Sequence, residues 1–275
     1  MKAKTIEEVI EGLDKIIQHS YDQGTRFGYF ASLYRLVTIA VRDKIAEKNY
    51  FQDNERMEKL DVIFANRYLV GYWDYQEGKS DTKSWELSFK GAGSGRYIIL
   101  QQLLTAMNAH INLDLGIACA EVAPGAKIDD LYDDFIRINI LLGSLVSTVQ
   151  DDIDELSPWI GGVSQRSRGL DRAIINWSVK KARKYAWELA KDLAAAPAEQ
   201  KGSIIDARDT ETTKLGQKVL SPGFFPWLLI QFIRWREVKN PKQIIKVLSD
   251  KSISEQKIRD ITRKFENETR SLAGN

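Results

Sequence analysis

The stretch RYIILQQLLTAMNAHINLDLGIACAEV, residues 96–122, decides the fold class of this chain. Within it, polar residues alternate with apolar ones from Asn108 to Asp114, which is the pattern of a half-buried strand. The apolar segment around them is too long for a strand, and it contains no turn residues before the Pro124 that follows it. The sequence therefore predicts a helix over about residues 96–122.

Two polar stripes run along nearly opposite sides of this predicted helix when it is drawn at about 100° per residue. Apolar strips separate the stripes, so we expect the helix to be central in its domain, with neighbours nearly all round. One stripe contains the amides of Gln101, Asn108 and Asn112. We expect these amides to form hydrogen bonds that bridge to neighbouring helices. Asn108 is also a candidate substrate contact.

The second stripe contains His110, Asp114 and Glu121, with Met107 beside it. A buried polar group without a partner costs about 1–3 kcal/mol, so a stripe of this kind must either be satisfied inside the fold or line a cavity. We assign it to a pocket. Met107 is then a candidate substrate contact.

Two chemistries fit His110 and Asp114, which are four residues apart on one helix face. In the first, both ligate one divalent metal ion, with Glu121 as a third ligand. In the second, Asp114 orients His110 as a general base without a metal. A third reading has no chemistry, because a histidine–aspartate hydrogen bond can simply satisfy two polar groups in a core.

The supply of metal ligands is small. The chain has two histidines, His19 and His110, and one cysteine, Cys119, which exclude multi-histidine and cysteine-rich sites. Any metal site would depend on carboxylates. His19 falls on the charged face of the first predicted helix, where we expect it to be solvated.

Helical periodicity runs along almost the whole chain. We predict a single all-α domain over residues 1–275, packed around the central helix, with no strand and no internal repeat. The other predicted helices cover residues 5–21, 27–48, 54–75, 128–156, 170–195, 204–219 and 224–238, followed by a tail after Pro241. The third should be capped by Asp53 or Asn54.

The segment FFPWLLIQFIRWREV, residues 224–238, is the most apolar of these. Its unbroken apolar run is far shorter than the ~20 residues of a spanning helix, so we predict no membrane-spanning segment. A buried core helix is the favoured interpretation, ahead of a lipid-facing or substrate-facing wall.

Arg67 lies in the middle of an apolar helix face, and a buried guanidinium must be paired or bound to an anion. An internal bridge to a carboxylate is the favoured interpretation, and Arg67 is otherwise a substrate-binding residue. The glycine-rich KGAGSGR, residues 90–96, matches neither nucleotide-binding motif. We predict a flexible connection there, ahead of an anion-binding nest.

The net charge and the N-terminal sequence limit which partners and which cellular location can be expected. With 40 basic and 38 acidic residues the net charge is +2, which gives no electrostatic reason to expect nucleic acid. The N-terminal residues lack the continuous apolar stretch of an export signal, so we predict a cytoplasmic protein.

Four motifs, FGYFASLYRLVTIAVRD, FANRYL, LLTAMNAHINLDLGIACAE and DDFIRINILL, resemble those of an uncharacterised bacterial family known as a domain of unknown function. The resemblance spans most of residues 26–190 and is most specific at MNAHINLDLG. It implies a bacterial, all-helical protein whose signature includes His110 and Asp114. It implies no activity.

The leading hypothesis is an enzyme that acts on a small, largely apolar organic molecule in a pocket between helices, through His110 and Asp114. The second hypothesis is a magnesium-dependent enzyme that acts on a diphosphate substrate. Four acids resemble those with which class I terpene cyclases hold magnesium on the diphosphate: Asp151, Asp152, Asp154 and Glu155. Residues 206–216 lack the spacing of the second metal motif of those enzymes. A third hypothesis is a non-catalytic helical binding or scaffold protein. The oligomeric state is not predicted.

Overall fold

Side-chain caps define where the first helices begin. Thr5 accepts a hydrogen bond from the Glu8 amide and starts α1, and Asp53 accepts one from the Arg56 amide and starts α3. Gly24 ends α1 in the left-handed conformation, with φ of 64°, which an L side chain would adopt only under strain. The computed structural model describes residues 2–47, 50–80, 82–139, 141, 156 and 179–249.

The described residues form one all-α domain without strands. Residues 132–139 are also helical, after a 3₁₀ segment at Gly125–Leu131. The labelled helices are α1 (Ile6–Gln23), α2 (Gly28–Ala46), α3 (Asn54–Gln76), α4 (Lys83–Ser94), α5 (Ile99–Ala109), α6 (Leu115–Val122), α7 (Val179–Ala195), α8 (Ala198–Leu220), α9 (Phe224–Arg236) and α10 (Pro241–Leu248).

The predicted central helix is confirmed, with one irregularity. A π-helical turn at His110–Asp114 joins α5 to α6, and the Leu115 amide bonds the His110 carbonyl, five residues back. This continuous rod contacts α2, α3, α4, α7 and α8, so it is surrounded by other helices. Two hydrophobic clusters lie along it, one around α6 and α7 and the other around α1 to α5.

One helix, α4, was not predicted from the sequence. Residues 90–94 of KGAGSGR are not a flexible connection but the last turn of α4, which ends at left-handed Gly95. Alternating small and polar residues hid its periodicity, and its start is capped from another helix. The carboxylate of Asp209 on α8 accepts hydrogen bonds from the Lys83 and Ser84 amides, so a tertiary contact satisfies two amides of the first turn.

The prediction for α9 was also wrong. It is not a buried core helix, since Ile230 and Ile233 are its only buried residues, and all five of its aromatic side chains are exposed. Of the helices among the described residues, none is long and apolar enough to cross a membrane.

Candidate functional site

Asp114 is the centre of a buried polar network that connects three helical segments. Its Oδ1 accepts a hydrogen bond from Arg67 Nε on α3 at 2.6 Å. Its Oδ2 accepts one from Trp85 Nε1 on α4 at 2.7 Å and lies 3.3 Å from His110 Nδ1 within the π turn. Asp114 is completely buried, so these three partners take the place of water around the carboxylate.

The network keeps Asp114 ionised. Burial raises the pKa of the Asp114 carboxyl, but the Arg67 charge and the His110 hydrogen bond outweigh it, and the net pKa is lowered. Burial also lowers the pKa of His110, against the opposing effect of Asp114, so the imidazole is neutral at physiological pH. An ionised carboxylate can only accept hydrogen bonds, so Nδ1 carries the proton of the neutral ring.

Aromatic rings enclose His110. Phe64 stacks on the imidazole with ring centroids 3.6 Å apart and planes 9° apart, and the Tyr34 ring meets it edge-on at 4.5 Å. Phe30, Tyr68 and Trp85 complete the enclosure with centroid distances of 5.6, 6.3 and 6.0 Å. The Nε2 atom is buried and has no hydrogen-bond partner. The ring therefore has one nitrogen held by Asp114 and one basic nitrogen left unused.

The π turn changes which residues share a helix face. Our wheel at a constant 100° per residue placed Glu121 on the stripe of His110 and Asp114, but a π turn contains one residue more than an α turn. Everything after the turn is rotated by about one residue, roughly 100°. Glu121 is consequently exposed, and the structure does not bring it to the pair.

The arrangement does not favour a metal at this position. Over the ranges that the structure describes, no group of three histidine, cysteine, aspartate or glutamate side chains is arranged to hold a metal ion. Both Asp114 oxygens are already engaged by the side chains of Arg67, Trp85 and His110. Of the two chemistries, the geometry fits the metal-free pair.

Asn108 and Met107, which the sequence predicted as candidate substrate contacts, pack against neighbouring helices. Asn108 donates from Nδ2 to the Thr212 carbonyl at 2.8 Å, and its Oδ1 accepts from Asn112 at 2.9 Å. Gln101 donates to the Val219 carbonyl on the same partner helix, α8. The amide stripe thus bridges to a neighbouring helix as predicted, and the role of Asn108 as a substrate contact stays a prediction. Met107 is partly buried against the hydrophobic cluster around α1 to α5.

Arg67 makes the internal bridge that the sequence favoured, and its partner is Asp114. A substrate-binding role for Arg67 stays a prediction. His19, predicted to be solvated, is half-buried, and its Nδ1 lies 2.7 Å from the Tyr72 hydroxyl. In both cases the partner comes from a segment more than 40 residues away.

A cleft lies beside the His110 enclosure. It occupies about 290 Å³ including its open mouth, between the start of α2 and helices α3, α4 and α5. Phe30, Tyr68 and Trp85 line it and also contact the His110 ring, so they form the shared wall between the cleft and the imidazole. The remaining lining residues are Arg26, Phe27, Tyr29, Ser88, Phe89, Ala92, Gln102 and Ala106.

Three buried polar atoms of residues that line this cleft have no hydrogen-bond partner: the hydroxyls of Tyr29 and Tyr68 and the Oε1 of Gln102. Gln102 donates its Nε2 to the Tyr97 carbonyl, which leaves the carbonyl oxygen of the amide as a free acceptor. Burial raises the pKa of both phenols well above the usual range, so they remain protonated. Buried groups of this kind are normally satisfied, so a cluster of three calls for an explanation.

Arg26 supplies a positive charge to the cleft. Its side chain is half-buried beside the left-handed Gly95, and the described part of the chain places no carboxylate within ion-pair distance of it. This charge stands next to two phenols and an aromatic wall. Arg26 and the three residues that carry these buried polar atoms therefore line one cleft whose surface is otherwise apolar.

Sequence reasoning missed Trp85, Tyr68 and Gln102 as site residues. Asp61, Phe64 and Tyr68 are spaced by three and four residues, so a polar–aromatic face on α3 was visible in the sequence. Trp85 gave no such signal because the helix that carries it was not predicted. The acidic residues at 151–155, on which the terpene-cyclase hypothesis depended, lie outside the described residues.

These features define the class: an all-α protein with a buried histidine–aspartate–arginine network next to an aromatic cleft. A family model described as a family of unknown function, DUF5995, matches residues 6–222, and the chain belongs to that family. No curated protein and no solved structure matches the chain.

Proposed function

We propose that the protein binds a small, largely apolar organic molecule in the cleft between α2, α3, α4 and α5. The observation that carries this proposal is the cluster of three unpartnered polar atoms on Tyr29, Tyr68 and Gln102. Small-molecule sites combine a mostly apolar lining with a few convergent polar groups, and this cleft has that composition. The space of about 290 Å³ includes open solvent at the mouth, so a ligand must be small and must extend into the mouth.

The polar atoms define the chemistry of the ligand. The two phenols and Arg26 donate to an oxygen-bearing group, and a carboxylate suits a guanidinium best. The Gln102 carbonyl requires a donor on the ligand, such as a hydroxyl or an amide N–H. The aromatic wall fits a ring or a short branched hydrocarbon. A small hydroxylated or amidated apolar acid meets all three requirements.

Two variants test this binding. Tyr68→Phe removes a cleft hydroxyl that has no partner in the free protein, whereas Tyr34→Phe removes an equally buried and unpartnered hydroxyl outside the cleft. Ligand-observed NMR against a panel of small aromatic and aliphatic acids, alcohols and amides should give hits that Tyr68→Phe weakens about 5- to 50-fold, the range of one lost hydrogen bond. Tyr34→Phe should leave them unchanged. An absence of hits, or equal losses in both variants, would contradict the proposal.

A second function, acid–base catalysis on the bound molecule, is favoured by His110. This neutral imidazole has Nδ1 held by Asp114 and a buried basic Nε2 without a donor, the arrangement of an oriented general base. Phe30, Tyr68 and Trp85 separate it from the cleft, so chemistry requires one of these rings to move.

Catalysis is tested on the ligands found in the binding screen. Each hit is incubated with the wild-type protein and with His110→Gln, and its spectrum is followed over time. Conversion by the wild type, with binding but no conversion by His110→Gln, supports the general base. If the hits bind but are not converted, or if His110→Gln converts them equally well, His110 is not a general base and the protein only binds the molecule at this site.

A further inference from the structure

Helix α9 presents an aromatic face that the described domain does not cover. We use this name for Phe224, Phe225, Trp227, Leu228 and Trp235. Phe225 is 81% exposed, Phe224 and Trp235 are 68% exposed, and Trp227 and Leu228 are 48% exposed. On a helical wheel the five residues lie on one side, opposite the buried Ile230 and Ile233. Large apolar residues exposed together on one face mark interaction sites, whereas single exposed apolar residues do not.

The buried side of α9 is firmly attached to the domain. Ile230 and Ile233 pack on Ile98, just before α5. Beyond the end of α9, the Glu237 carboxylate accepts hydrogen bonds from the Ile99 amide at 3.1 and 3.2 Å, and it is itself buried. These contacts orient the helix, so the aromatic face points away from the domain.

The sequence on either side of α9 is more basic than the chain as a whole. Residues 212–249 contain one acidic residue, the buried Glu237, and seven basic residues: Lys214, Lys218, Arg234, Arg236, Lys239, Lys242 and Lys246. All of the basic residues except Arg234 are exposed. A chain with a net charge of only +2 therefore contains a basic stretch of sequence that includes its most exposed apolar helix.

Aromatic and aliphatic residues on one face, with cations alongside, are the composition of a helix that lies in the plane of a membrane surface. The rings enter the boundary between headgroups and acyl chains, and the lysines and arginines meet anionic headgroups. A nucleic acid would use the cations but not five exposed apolar side chains. A flat acidic protein surface would pair with the cations but would leave the five apolar side chains without an apolar partner.

We propose that α9 is an in-plane membrane anchor that docks the protein on bilayers containing anionic lipid. The aromatic face inserts into the interface, and the exposed lysines and arginines beside it bind the headgroups. This inference does not depend on the ligand proposed for the cleft.

The test is cosedimentation of the full chain with phosphatidylcholine vesicles, with and without phosphatidylglycerol. We expect binding to the anionic vesicles that declines as salt increases, accompanied by a blue shift of tryptophan emission. Phe225→Ser combined with Trp235→Ser should reduce the partition coefficient about tenfold or more, because two large apolar groups no longer enter the interface. Lys239→Glu, just beyond the end of α9, should reduce it about fivefold or more.

The control is a second exposed apolar pair on another surface, Tyr132→Ser combined with Ile136→Ser, at 46% and 37% exposure. It should bind vesicles as the wild type does, with circular dichroism confirming that all variants are folded. Absence of wild-type binding at low salt, or an equal loss in the control, overturns the proposal. A concentration-dependent increase in mass, lost in the α9 variant and not accompanied by vesicle binding, also overturns it, since the face then joins two copies of this chain.

Discussion

His110 is the residue whose protonation state follows most directly from its surroundings. We predict a neutral ring with the proton on Nδ1, because Asp114 is an acceptor and burial lowers the pKa of the imidazole. The unfolded chain takes up this proton below about pH 6.5 and the folded chain at a lower pH, so His110 makes the fold less stable as the pH falls through that window.

Nitrogen-15 NMR of the histidine rings measures both properties, with His19→Gln assigning the second set of signals. The predicted spectrum shows a protonated Nδ1 and an unprotonated Nε2 at about pH 6.5. The opposite tautomer, or a His110 that titrates above the pH of a free histidine, would contradict the assigned roles.

Asp61 is a buried acid without a catalytic assignment. Its Oδ2 has no hydrogen-bond partner, and burial, with a smaller contribution from Glu58, raises the pKa of the carboxyl to about 7. The unfolded carboxyl ionises near pH 4 and the folded one near pH 7. Stability is therefore lost as the pH rises between these values, and the full cost remains above about pH 7.

Asp61→Asn removes this ionisation. We predict that the free energy of unfolding of the variant, relative to the wild type, increases by roughly 2–4 kcal/mol between about pH 4 and about pH 8. Urea denaturation across this range measures it, with the exposed Asp43→Asn as the control. A difference that does not change with pH would show that Asp61 is ionised in the folded protein throughout.

At the scale of elements, glycines set how closely helices approach. A Cβ at Gly116 on α6 would lie 2.7 Å from the Ala186 carbonyl oxygen and 2.8 Å from the Leu189 side chain on α7. A backbone oxygen cannot move away as a flexible side chain can, so the two helices would have to separate. Gly71 on α3 offers the matched case, with no atom within 4 Å of its Cβ position.

We predict opposite effects for the same substitution at these two positions. Gly116→Ala should lower the free energy of unfolding by about 1–3 kcal/mol through overpacking. Gly71→Ala should raise it by about 0.5–1 kcal/mol, because alanine favours an open helical position. Thermal and urea denaturation measure both. A neutral Gly116→Ala would show that α6 and α7 are less tightly packed than described.

At the scale of the whole molecule, Asp114 connects α3, α4 and the π turn through a single carboxylate. Asp114→Asn removes the buried charge opposite Arg67 and places an amide N–H2 group where Arg67, Trp85 and His110 all require an acceptor. Breaking a buried pair in this way costs about 3–5 kcal/mol, and the partial exposure of Arg67, 27% for its side chain, places the effect at the lower end.

Denaturation of Asp114→Asn should give one cooperative transition at lower denaturant, since the network holds segments that belong to one core. Asp43→Asn, which removes the carboxylate of an exposed pair, should change the stability by less than about 1 kcal/mol. If Asp114→Asn were as harmless as this control, the network would not be the structural centre that the geometry indicates.

The sequence by itself determined the all-α class, the central helix, the cap at Asp53 and the bridging role of the amides on α5. These features follow from local periodicity. The structure agrees with the predictions because each one depends on residues within a few helical turns of one another. The pairing of His110 with Asp114 was predictable for the same reason, as the two are four residues apart.

Only the tertiary structure decided what surrounds that pair. Arg67 and Trp85 reach Asp114 from sequence separations of 47 and 29 residues, and the cleft takes its wall from four helical segments. The π turn rotated Glu121 away from the site. The exposure of the aromatic face of α9 depends on which face of this helix packs on the domain. No helical wheel contains this information, because a wheel describes the faces of one helix and says nothing about which neighbour covers each of them.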